Sequence, residues 1–206
     1  MKIIWNGHSC FTLDTAQGRV VLDPYQDGSV PGLSPLRLTA DLVLCSHEHR
    51  DHGARDSVTL SGRSASVQVE ELHTFHDPEQ GALRGPNIIR ILSAEGLRVA
   101  HLGDLGCDLT PEQTERLMGL DALMIPVGGY YTIDAKQARA VVDALRPRVV
   151  IPMHYRSPSF GYDVITTLED YLALCGEGDN VVRYPGSTLE LTKDTPAQTA
   201  VLTYQP

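Results

Sequence analysis

Short apolar runs broken by Gly, Pro and Ser turns dominate the first half of the chain. This pattern predicts strands over residues 2–5, 10–14 and 19–22. Residues 23–39, DPYQDGSVPGLSPLRLT, read as a long loop. Leu42 to Cys45 is a buried-strand pattern that feeds directly into a polar segment. Residues 57–74 carry β-branched positions and predict further strands. Asn87–Leu92 and Leu97–Leu102 flank Ala94-Glu95-Gly96, a hairpin with Gly at its turn. From here the period changes. Thr110-Pro111 opens a helix, with Gln113 completing a capping box. Ala122–Val127 is a strand, Asp134–Leu145 a helix that stops before Pro147, and Arg148–Met153 a strand. A helix is expected over Val164–Leu174. Strands follow near Val181–Tyr184, Thr188–Leu191 and Ala200–Thr203. Strands lead and α/β alternation follows, which suits two sheets covered by helices. No linker or repeat interrupts the pattern, so residues 1–206 are expected to form a single domain.

Composition narrows the function. The chain has 206 residues, 42% of them hydrophobic, enough to bury one substantial core. The net charge of −9, with 17 scattered Lys and Arg, argues against nucleic acid as a partner. No apolar run approaches the ~20 residues of a membrane span. The N-terminal MKIIWNGHSCF lacks the apolar core of a secretory signal. The four cysteines (Cys10, Cys45, Cys107 and Cys175) are therefore expected to be reduced thiols in a cytoplasmic protein.

The chemistry concentrates in Ser46-His47-Glu48-His49-Arg50-Asp51-His52. On leaving a strand, His47 and His49 point to one side and can share a metal. Asp51 and His52 come a step later, where the chain could turn into a helix and face a second metal. Imidazole and carboxylate suit Zn²⁺, and also Fe or Mn. A solvated polar loop is the plain alternative. Against it, His76, Asp104 and His154 also follow apolar, strand-like runs, and such strand ends can converge at one sheet edge. His73 and His101 stand three residues before His76 and Asp104 and are expected to be structural.

The phrases GHSCF, LDP, SHEHRDH, TFHD, HLGDLG, IPVGGYYT and IPMHY resemble the metallo-β-lactamase superfamily. The likeness is to its branch of small metal-dependent hydrolases related to ascorbate-6-phosphate lactonases, and it spans nearly the whole chain. It implies an α/β, four-layer αββα sandwich. It also implies two metals, zinc foremost, with Mn²⁺, Fe²⁺ or Ni²⁺ as other occupants. His47, His49 and His76 would hold one, Asp51, His52 and His154 the other, and Asp104 would bridge them. The implied reaction is hydrolysis of a small ester, lactone or phosphoester by a metal-bridging hydroxide, with Asp51 orienting it and relaying a proton. An iron-containing redox enzyme and a non-catalytic metal binder are the alternatives. His49 stands where flavodiiron relatives carry Glu, which favours hydrolysis. A small-molecule substrate is expected, and a homo-oligomer is compatible with the chain.

Other residues stay open. His8 either approaches the metals or satisfies a turn. Asp23 either holds a metal-binding His or makes an Asp-Pro turn. Tyr131 and Tyr155 either line the site or pack. Arg84 and Arg156 either hold an anionic group or are simply exposed.

Overall fold

The computed structural model describes residues 1–206. Strands β1 (Lys2–Gly7), β2 (Cys10–Thr15) and β3 (Gly18–Leu22) form an antiparallel meander. A short β4 (Leu38–Ala40) pairs with β6 (Val58–Leu60) in a two-stranded ribbon, and β5 (Leu42–Leu44) lies parallel to β3. The second sheet uses β7 (Gln68–Phe75), β8 (Pro86–Ala94), β9 (Leu97–His101), β10 (Ala122–Pro126), β11 (Val149–Met153), β12 (Val181–Arg183) and β14 (Gln198–Val201). Strand β13 (Thr188–Glu190) returns to the first sheet beside β1. The orders are β13-β1-β2-β3-β5 and β12-β14-β11-β10-β9-β8-β7.

Alternation along the strands decides which way each sheet faces. Phe11, Leu13, Val20 and Leu22 enter the main core, which also takes in Ile89, Ile91, Val99, Leu123 and Ile151 of the other sheet. Cys10 and Val21 point the other way, into a smaller cluster with Tyr25, Val30, Leu33 and Leu36. The layer outside the smaller sheet is thus the loop of residues 24–37 rather than a long helix. Helices α1 (Pro111–Arg116), α2 (Ala135–Leu145) and α3 (Leu168–Leu172) all connect strands of the larger sheet. Helix α2 buries Ala138, Val142 and Leu145, spaced four and three apart as one helical face requires.

The expected capping box of Thr110 with Gln113 forms, and Asp134 forms a second one with Gln137. The hairpin turn places Glu95 at φ 54 and Gly96 at φ 70, the two positive values of a tight two-residue turn. Three expectations need correction. Residues 164–167 are not helical, because Arg156 N–H donates to Thr166 O and Thr166 N–H to Gly128 O, which stretches the segment against the sheet. Between Ser57 and Thr74 only β6 and the long β7 are strands. No α-helix follows His52; a turn closes with His52 and Gly53 N–H both donating to His49 O, and a single 3-10 turn follows over Arg55–Ser57.

Candidate metal centre

Topology alone brings the candidate residues to one place. In the larger sheet β9, β10 and β11 run parallel, and β7 and β9 are both antiparallel to β8. The C-terminal ends of β7, β9 and β11 therefore share an edge, and they lead to His76, Asp104 and His154. In the smaller sheet β1 and β3 both oppose β2, and β5 is parallel to β3. Their C-terminal ends lead to His8, Asp23 and the 47–52 turn. The two edges meet over the core, as active sites on parallel strands do.

One carboxylate oxygen is the hub. Asp104 Oδ2 lies 3.2 Å from His52 Nε2, 3.2 Å from His76 Nε2, 3.3 Å from His154 Nε2 and 4.0 Å from His47 Nε2. Around it, His47, His49 and His76 form one set of converging ligand atoms. Asp51, His52 and His154 form a second, joined by His8. All seven residues singled out in the sequence come together, and His8, which the sequence left open, belongs with them. Its ring lies tilted against His154 with centroids 4.1 Å apart, and Nε2 is 3.4 Å from Asp51 Oδ2. His49 is exposed at the mouth, while His47, His52, His76 and His154 are buried.

The donor set fits metal ions. His47 Nε2, His52 Nε2, His76 Nδ1, Asp104 Oδ1 and both ring nitrogens of His8 and of His154 are buried without a hydrogen-bond partner. Buried polar atoms are normally satisfied, so a cluster of orphans gathered around one carboxylate calls for a ligand. Electrostatics agree. Burial drives the His47 ring down to about 3 and the His8 ring to about 4, with neighbouring imidazoles adding to the effect. Both are therefore neutral donors. Burial alone would raise Asp104, but His154 and His52 hold it well below the carboxylate range. Burial would lower His52, yet Asp104 and Asp51 hold it well above its ordinary value. The field at this spot thus favours positive charge.

A supporting shell orients the rings. Asp23 Oδ1 accepts from Ser46 N–H at 2.6 Å and Oδ2 from the Ser46 hydroxyl at 2.5 Å. His52 Nδ1 is 2.8 Å from Asp23 Oδ2, and His47 Nδ1 is 2.9 Å from Ser46 Oγ. Both rings are thereby turned to present Nε2 to the centre. Of the two readings of Asp23, the structure supports the holding role. Asn87 Oδ1 accepts the Asp104 N–H at 2.9 Å, while its amide donates to Thr74 Oγ1 and Leu102 O. Gly103 has φ +57, and a Cβ there would lie 2.4 Å from both Ser46 Cβ and Asn87 Oδ1. Only glycine lets the HLGD turn carry Asp104 this deep. His8, Asp23 and His154 also hold positive φ (51, 46 and 54), a conformation kept where the surroundings enforce it.

The remaining candidates separate. His73 is exposed on β7, on the face opposite Leu72 and Thr74. His101 is structural: it lies 2.8 Å from Ser9 O through Nε2 and accepts from Gly103 N–H through Nδ1. Tyr155 is buried against Trp5 and Phe160, away from the cleft. Arg156 donates to Ile165 O. A cleft of about 310 Å³ opens on the cluster, lined by His49, Asp51, His76, Arg84, Asp104, Tyr131 and Tyr162. Tyr162, which no sequence signal marked, places its hydroxyl 3.2 Å from Asp51 Oδ2 and 2.9 Å from Ser29 O.

Comparison with known proteins agrees with this geometry. A beta-lactamase superfamily domain matches residues 2–154. A UPF0173 metal-dependent hydrolase of Thermococcus onnurineus is 25% identical over 229 residues, covering 93% of this chain and all of the relative. A UPF0173 protein of Pyrococcus furiosus is 29% identical over 181 residues, covering 75% of this chain and 83% of the relative. A Thermotoga maritima protein described as a Zn-dependent hydrolase of the metallo-β-lactamase superfamily superimposes with a TM-score of 0.79 at 34% identity, covering 99% of each chain. The chain belongs to the metallo-β-lactamase superfamily, among its metal-dependent hydrolases.

Proposed function

We propose that the chain holds two divalent cations, zinc foremost, and hydrolyses a small ester, lactone or phosphoester. The observation that carries this reading is the single Asp104 oxygen faced by four imidazole nitrogens, with a three-residue and a four-residue donor set on either side. His47, His49 and His76 would hold one cation, and Asp51, His52 and His154, with His8, the other. Asp104 would serve both. When bound, such cations supply a nucleophile from water at neutral pH and stabilise charge developing on the attacked group.

The chain's own residues do the rest. Asp51 is the carboxylate nearest the cleft that is also held by a hydroxyl, that of Tyr162. Burial would raise it, but His52 and His8 hold it far below the carboxylate range. It rests ionised, placed to orient a water and, on taking up that water's proton, to pass it to a leaving group. The Tyr162 phenol, pushed upward by burial and by Asp51, stays protonated and able to donate. No Ser or Cys nucleophile lines this cleft.

Elemental analysis of protein purified without added metal, followed by assay on neutral esters, lactones and phosphodiesters, tests the reading. Close to two zinc ions per chain and turnover lost both on chelation and in His47→Ala are expected. Turnover that survives both sinks the mechanism. Iron-loaded, oxygen-reactive protein without hydrolysis would assign a redox role instead. We also propose a cytoplasmic setting, which four free cysteines support, and a small molecule rather than nucleic acid as partner, which the net charge of −9 supports. No helix is long and apolar enough to cross a membrane.

A further inference from the structure

Arg84 is the cation that the catalytic reading does not use. It lines the cleft of about 310 Å³ beside His49, His76 and Asp104, and also an adjoining cleft of about 430 Å³ that contains His47 and His49. Two other guanidinium groups reach the second cleft, and both are neutralised: Arg55 by Glu48 at 2.7 Å, and Arg90 by Glu71. Arg84 makes no ion pair. One Nη2–H donates to Tyr130 O at 3.1 Å, and the guanidinium carbon lies 5.8 Å over the Tyr131 ring. These contacts fix the side chain without spending its charge, and the other N–H donors stay free.

The backbone beneath it is fixed as well. Asp77, fully buried, accepts four backbone N–H groups from its own loop: Glu79 at 2.8 Å and Gly81 at 3.0 Å on Oδ1, Leu83 at 3.1 Å and Arg84 at 2.7 Å on Oδ2. Gly85 N–H then donates to Gly81 O, and His76 N–H donates to Gly85 O. The loop that presents Arg84 is therefore tied to His76, which faces Asp104. An unpaired guanidinium that is held by Tyr130 and Tyr131 and lines both clefts beside His49 has the chemistry of an anion subsite.

We propose that Arg84 binds an anionic group of the substrate, a carboxylate or a phosphate oxyanion, set apart from the bond that is cleaved. This rests on the hydrolase reading and narrows it to substrates with a second, charged end. Tyr131 and the Tyr162 hydroxyl flank the path between that end and Asp51.

The test uses metal-loaded protein and two matched pairs of probes. Hydrolysis is followed on 4-nitrophenyl butyrate and on the 4-nitrophenyl monoester of succinate. Binding is followed by calorimetry with butyramide and succinamate. In Arg84→Met the preference of kcat/KM for the charged ester falls about tenfold or more, chiefly through KM, and succinamate binding weakens in parallel. Arg84→Lys, which keeps charge but loses the planar fork, recovers part of it. A preference that stays within about twofold of the wild type in both variants overturns the subsite. If neither ester is turned over, the hydrolase reading is judged by its own assays on lactones and phosphodiesters, and calorimetry alone decides the subsite. Succinamate binding that depends on Arg84 supports the subsite, and binding indifferent to Arg84 overturns it.

Discussion

At the scale of single residues, two side chains carry more than their sequence context announces. His8 has no hydrogen-bond partner on either ring nitrogen and faces Asp51, His52 and His154. Replacing it with Ala should leave one cation bound and weaken the other. Metal titration of His8→Ala is expected to give about one tight and one weak site; two unchanged sites would make His8 a packing residue. Asp23 acts through others. It receives Ser46 and His52, and Ser46 receives His47. Asp23→Asn is an informative change because Asn tolerates the positive φ of 46 found there. The backbone is spared while the charge and one acceptor are lost. Zinc affinity measured by chelator competition should drop ~10–100-fold. An unaltered affinity would mean the rings are held by packing alone.

At the scale of elements, the connections between strands carry both stability and the site. The Asp77 loop depends on four backbone hydrogen bonds to one carboxylate. Asp77→Ala removes both accepting oxygens and with them all four hydrogen bonds, so amide hydrogen exchange over residues 79–85 should speed markedly while β8 stays protected. Equal protection in the variant would show that the loop is held otherwise. At the opposite edge of the larger sheet, Asp121 ties three connections together. It accepts the Arg98 N–H at 2.7 Å, pairs with Arg148 at 2.7 Å, and meets Lys193 at 3.3 Å. Burial would raise its carboxyl, but Arg148 and the Arg98 amide hold it below the ordinary range. With the folded value below the unfolded one, its stabilisation is complete above the ordinary carboxylate range. It fades as pH falls through the lowered folded value. Denaturant titrations of Asp121→Asn and wild type should therefore differ clearly at pH 7 and converge in acid. A constant gap across pH would contradict the ion-pair account.

At the scale of the whole molecule, the donors come from both sheets. His8, His47, His49, Asp51 and His52 follow strands of the smaller one, and His76, Asp104 and His154 follow strands of the larger. Cations held between them would staple the two layers across the mouth of the core. A ligand bound only by the folded state at 100 times its Kd adds about 2.7 kcal/mol. For a chain of this size that corresponds to roughly 5–10 °C in unfolding temperature. Calorimetry with zinc and then with chelator should show that rise and its reversal. An unfolding temperature indifferent to both would mean the edge is closed without metal.

Much of this was legible in the linear sequence because local physics writes it there. The 47–52 segment concentrates its ligands on one strand exit, and His76, Asp104 and His154 each end an apolar run. The Thr110 and Asp134 caps and the Glu95-Gly96 turn also form as their residue types require. Other features depend on partners far along the chain. His8 looks like any turn histidine until β1, β3 and β5 align their ends. Residues 164–167 have a helical pattern, yet their hydrogen bonds to Arg156 and Gly128 keep them out of the helix. Arg84 reads either as an anion holder or as an exposed arginine, and only the folded chain shows that Arg55 and Arg90 at the clefts meet carboxylates while Arg84 does not. Hydrophobic period and capping act over a few residues and so survive in one dimension. Charge pairing, strand order and the meeting of two sheet edges are set by distances in space, which the fold alone supplies.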